Sequence, residues 1–95
     1  MSDVISAAVM ALSGKFTGGF DAVAKFVMIG EGSIMVDATG VHAGDDEADV
    51  TLTASVDDFQ AMFDGDLSPT SAFMTGKLKV EGNMGLAMKL GSALA

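Results

Sequence analysis

The chain has 95 residues, a net charge of −8 and no cysteine. That length supports one domain, residues 1–95, held by packing alone, because neither a disulfide framework nor a thiolate metal site is available. The acidic balance argues against nucleic acid, whose phosphates call for a basic stripe. No window approaches the ~18 consecutive apolar residues of a membrane span, and Met1-Ser2-Asp3 lacks the basic start of a secretory signal.

Residues 3–13 predict a helix, with Val4, Ile5, Ala8, Val9 and Leu12 on one face. Ser2 or Asp3 caps its start and Ser13-Gly14 ends it. A membrane-surface helix carries Lys or Arg on its polar face; this one does not, so it is read as packing on a core.

Residues 20–55 predict antiparallel strands. Phe20, Ala22, Ala24, Phe26 and Met28 alternate along the first, and Gly30-Glu31-Gly32 turns the chain. Ile34, Val36 and Ala38 should face inward, with Ser33, Met35 and Asp37 outward. Thr39-Gly40 and Gly44-Asp45-Asp46 mark turns, the latter a solvated hairpin. Val50, Leu52 and Ala54 then alternate with polar residues in a half-buried strand.

Ser55-Val56-Asp57-Asp58 forms a capping box for a helix bearing Phe59, Met62 and Phe63 and ending at Gly65. Ser68 and Pro69 open a second short helix with Ala72, Phe73 and Met74, stopped by Gly76. Lys77 to Glu81 alternates strictly, placing Leu78 and Val80 inward and Lys77 and Lys79 in solvent, where they can meet a phosphate head group. Residues 83–94 predict a last helix with Met84, Leu86, Ala87, Met88, Leu90 and Leu94. The order gives an α+β fold, helices covering one face of a mostly antiparallel sheet.

Catalytic chemistry has few carriers. His42 is the one histidine and sits in a short strand edge with no triad-like company. Asp45-Asp46-Glu47-x-Asp49 lacks the glycine, spacing and terminal Glu of a calcium loop. No metal, cofactor or catalytic residue is expected. The eight methionines read either as gap-fillers of a core or as an adaptable apolar lining.

The ordered set Gly65-x-x-x-Pro69, Ala72-Phe73, Gly76-Lys77-Leu78-Lys79 and Gly82-Asn83-Met84-Gly85-Leu86-Ala87-Met88-Lys89-Leu90 resembles the sterol carrier protein-2 family, as does Asp49-Val50-Thr51-Leu52-Thr53 ahead of Asp57-Asp58-Phe59. The resemblance implies a five-stranded sheet with helices on one side and an apolar tunnel between them. It implies non-catalytic binding and transfer of a fatty acid, fatty acyl-CoA, phospholipid or sterol-like ligand. The residues expected to line the tunnel are Phe59, Met62, Phe63, Phe73, Met74, Leu78, Val80, Met84, Ala87, Met88 and Leu90. Each also reads as ordinary core, since the two look alike in sequence. Gly91-Ser92-Ala93-Leu94-Ala95 carries no peroxisomal tripeptide. The expectation is therefore a small stand-alone, bacterial, cytoplasmic member, with one tunnel mouth left open and transient membrane contact as a partner interaction. The alternative is an accessory module of a lipid-metabolising enzyme that kept the fold without a cavity.

Overall fold

The computed structural model describes residues 3–94. The chain runs α1 (Asp3–Lys15), β1 (Ala24–Met28), β2 (Gly32–Asp37), β3 (Gly40–Ala43), β4 (Val50–Ala54), α2 (Val56–Asp64), α3 (Pro69–Met74), β5 (Lys79–Gly82) and α4 (Met84–Leu94). Ile5, Ala8 and Leu12 form the buried stripe of α1. Ser2, one of the two expected caps, lies outside the described residues. Ser55 caps α2 by accepting the Asp58 amide, and Gly65 ends it in the left-handed region at φ 84°. Ser68 caps α3 ahead of Pro69.

The five strands form one sheet in the order β3-β2-β1-β4-β5. Three pairings are antiparallel, but β1 and β4 at the centre run parallel, with Phe26 opposite Leu52. The sheet is therefore mixed, which corrects the antiparallel reading of residues 20–55. The cause is topological. β3 and β4 point the same way, so a hairpin cannot join them and residues 44–49 must run back along the sheet. Asp49 anchors that return: its amide donates to the Val23 carbonyl at 2.8 Å and its carboxylate accepts the Val23 amide at 3.1 Å. Gly44-Asp45-Asp46 is thus part of a crossover, not a hairpin turn.

The crossover also explains Met35. Period-2 alternation places it outward beside Lys25 and His42, its register partners, yet it is 1% exposed. Gly44 packs over it so closely that a Cβ there would lie 3.0 Å from the methionine Cγ, and Asp45 closes on Lys25 at 2.9 Å. Ala38, expected inward, is exposed because β2 stops at Asp37. There the Asp37 carboxylate accepts from the Thr39 amide and hydroxyl at 2.9 and 2.5 Å. Phe20 and Ala22 precede β1 in a turn, although Phe20 is buried, edge-on to Phe16.

The helices share the other face. α1 lies over β2 and β3, and α4 over β4 and β5. Phe26 and Phe59 meet in the core with ring centres 5.8 Å apart. No described helix is long and apolar enough to cross a membrane.

Candidate functional site

α4 carries two apolar faces. Leu90 and Leu94 are fully buried in the core, with Leu86 and Ala93 packed beside them. Met84, Ala87, Met88, Gly91 and Ser92 recur at i, i+3, i+4, i+7 and i+8, a second stripe on one side of the helix. That second stripe faces a cleft of about 490 Å³. Leu52 of β4 with Leu78 and Val80 at β5 line it from the sheet, and Ser68, Pro69, Thr70 and Phe73 of the α3 segment form the opposite wall. The volume falls in the range of small-molecule sites, roughly 300–1,000 Å³.

Its chemistry is uniform. No charged side chain lines it; the polar groups are the hydroxyls of Ser68, Thr70 and Ser92. The α3 wall is set by local signals, Ser68 as cap and Pro69 at the first turn. The α4 start is set by Asn83, whose side-chain oxygen accepts the Leu86 amide at 3.1 Å. Gly82, just before it, has φ 96°, and a Cβ there would collide with the Asp49 carbonyl oxygen. A glycine is needed where β5 passes the start of β4 into α4.

Of the residues expected to line a ligand channel, the cleft gathers Phe73, Leu78, Val80, Met84, Ala87 and Met88. Phe59, Met62 and Leu90 are instead fully buried core. Met74 is 79% exposed at the end of α3 and lines no cleft. Phe63 lines a smaller cleft of about 250 Å³ between α1 and α2, with Ala7, Ala11, Met28 and Gln60 among its walls. Six cleft residues escaped the sequence reading: Leu52, Ser68, Pro69, Thr70, Gly91 and Ser92. Two signals point to three of them. Gly91 and Ser92 continue the Met84–Met88 stripe by one turn, and Leu52 is the cross-strand partner of Val80.

Groups that could do acid–base or metal chemistry are tied up elsewhere or solitary. Among the described residues no polar or charged side chain is buried, and no group of three or more His, Asp or Glu could hold a metal. His42 stands on edge strand β3, 4.0 Å from the Asp37 carboxylate. The Thr39 hydroxyl and amide hold the Asp37 carboxyl below the usual range. Lys89 does the same to Asp21, first through a 2.7 Å hydrogen bond and then through its charge, and its ammonium lies 5.6 Å from the Phe20 ring centre.

An α+β sandwich with an uncharged apolar cleft under its last helix is thus in place, and residues 8–95 match the SCP-2 sterol transfer family. The chain belongs to that family. Bovine hydroxysteroid dehydrogenase-like protein 2 is 62% identical over 45 residues, which cover 47% of this chain and 11% of that protein. The chain therefore spans about a ninth of the length of that relative. Among solved structures, sterol carrier protein 2 from Yarrowia lipolytica in its apo form is 28% identical with a TM-score of 0.70, over 97% of this chain and 84% of that one. Palmitated SCP2L2 from Aedes aegypti is 26% identical with a TM-score of 0.71, over 99% and 95%. The family fold places β5 and α4 where the cleft is found, and the sequence resemblance over residues 49–90 covers the same elements.

Proposed function

We propose that the chain is a non-catalytic lipid carrier that takes a fatty acid, fatty acyl-CoA, phospholipid or sterol-like ligand into the cleft between α3, α4 and β5. One observation carries this: α4 turns a full second apolar stripe toward a roomy cleft with no charged side chain in its lining. A helix apolar on both sides either packs on both or faces something apolar. The palmitate on the Aedes aegypti relative supports an acyl chain as the occupant. The proposed tunnel is this cleft deepened, with α4 moving away from the sheet as a chain enters beside Leu78 and Val80. The ligand-lining set within it is Phe73, Leu78, Val80, Met84, Ala87 and Met88. We propose the setting to be cytoplasmic and the unit of function to be the single domain.

Burying an acyl chain hides roughly 400–500 Å² of apolar surface, a gross gain of ~10–12 kcal/mol at ~25 cal/mol/Å². Association and ordering take back several kcal/mol, which leaves micromolar to submicromolar affinity. An apolar wall separates ligands differing by one methylene by only ~1–3 kcal/mol, so several lipids should compete. Met84→Asp with Met88→Asp places two carboxylates on the lining at positions that stand partly in solvent. The double variant should remain folded by circular dichroism and lose at least tenfold in affinity for a fluorescent fatty acid. Unchanged binding would remove the cleft as the site.

A second reading has one observation in its favour. The bovine relative is a far longer, dehydrogenase-like protein, so the domain also fits an accessory module beside a lipid-metabolising enzyme. Native mass spectrometry of freshly purified protein separates the two. Co-purified lipid mass supports the carrier; bare polypeptide together with capture of such an enzyme supports the module.

A further inference from the structure

Six large apolar side chains of the described residues stand exposed, and four of them are Phe73, Met74, Met84 and Met88. Three of the four line the rim of the cleft. Met74 ends the helix that bears Phe73 and is 79% exposed. Gly76, at φ 80°, then turns the chain. The amides of Lys77 and Leu78 donate to the Ala72 carbonyl at 2.8 and 3.0 Å, which folds Lys77 against the end of α3. Lys79 opens edge strand β5 directly after it. Both lysines are exposed, and among the described residues neither has a carboxylate partner, whereas Lys25 and Lys89 are each paired with one.

Charge is sorted in the same way along the chain. Residues 45–66 hold eight carboxylates and no Lys or Arg, while residues 67–95 hold three lysines against Glu81. The apolar rim therefore lies beside the free cations of an otherwise acidic molecule. Exposed apolar patches rimmed by charge mark interaction surfaces, and apolar side chains next to lysines match the interior and head groups of an anionic bilayer. The exposed apolar residue of α1, Met10, has no such company: Ser6, Ser13 and Gly14 are its neighbours one turn away on the helix.

We propose that the rim of Phe73, Met74, Met84 and Met88, flanked by Lys77 and Lys79, is a docking surface for an anionic lipid bilayer. Met74 and Met88 enter the head-group boundary and the two ammonium groups meet lipid phosphates. The cleft then opens toward the membrane, so that an acyl chain passes between bilayer and protein without crossing water. The role given to docking rests on the carrier reading; the docking itself is measured independently of it.

The absence of native cysteine permits single labels. Met74→Cys and Met10→Cys are each coupled to an environment-sensitive dye and titrated with vesicles of equal parts phosphatidylcholine and phosphatidylglycerol, and with phosphatidylcholine alone. The label at 74 should brighten and shift to the blue on the anionic vesicles while the label at 10 does not. Lys77→Gln with Lys79→Gln should weaken that response by roughly fivefold for each lysine, and added salt should weaken it further. A response at 10 without one at 74, or no response at either, overturns the proposal. So does an equal response to neutral vesicles. A shift at 74 that follows protein concentration alone, with a dimer in sedimentation, would assign the rim to a second copy and also overturn it. Fluorescent fatty acid binding by the double glutamine variant in vesicle-free buffer tests the carrier reading separately: retained binding with lost docking, or the reverse, tells which of the two has failed.

Discussion

α1 and α4 cover the same face of one sheet, α1 over β2 and β3 and α4 over β4 and β5, yet they use their apolar residues differently. α1 commits a single stripe, Ile5, Ala8 and Leu12, to the core and turns Ser6, Ala7, Ser13 and Gly14 outward. α4 fills the core with Leu90 and Leu94 and still has Met84, Ala87 and Met88 left for a cleft. The first helix is as apolar as its packing requires; the last is more so. Such excess apolar surface is unfavourable in water unless something covers it. The contrast locates the functional end of the molecule without any catalytic residue.

The sharpest test of this contrast sets a core side chain against a rim side chain. Phe59→Ala removes a fully buried ring that meets Phe26 and Phe63 at 5.8 and 6.0 Å. It should destabilise the domain by ~3–5 kcal/mol in urea unfolding. Met88→Ala, at a position 75% exposed, should change stability by less than about 0.5 kcal/mol and show its effect in lipid binding instead. A loss of several kcal/mol at Met88 would make the second stripe of α4 ordinary core and erase the distinction.

Gly82→Ala probes how the cleft side is held to the sheet. The substitution forces a side chain into the left-handed region at φ 96° and against the Asp49 carbonyl, which also accepts the Asn83 amide at 2.9 Å. A loss of about 1–3 kcal/mol is expected, with amide exchange rising in β5 and α4 more than in α1. Equal rises in both helices would mean that the two ends unfold as one unit.

The smallest effect concerns the tether between α4 and the turn before β1. Hydrogen bonding and charge from Lys89 lower the Asp21 pKa. A carboxyl whose folded pKa is lowered contributes stability above its unfolded value, near 3.9, and loses that contribution as pH falls through the folded value. An NMR titration should therefore find the Asp21 midpoint below that of free aspartate. Lys89→Met should return it to the ordinary range. Both groups are exposed, so salt should shrink the difference.

Much of this architecture is legible in the residue order because it is locally encoded. The Ser55 and Ser68 caps, the Gly65 stop, the alternation of Val50, Leu52 and Ala54 and the double-sided α4 each arise from neighbours within a few residues, where hydrogen-bond geometry and periodicity act. The parallel pairing of β1 with β4 is not of that kind. It depends on residues 44–49 running back along the sheet, and alternation reads the same for either strand direction. The crossover also buried Met35, whose local pattern points outward. The same limit divided the expected lining: Phe59, Met62 and Leu90 went to the core, Met74 to solvent, and Phe73, Leu78, Val80, Met84, Ala87 and Met88 to the cleft. All ten are apolar, and a side chain's own chemistry says only that it avoids water. Whether a neighbouring helix or an open cleft lies against it is decided by elements far away in the chain, through tertiary packing.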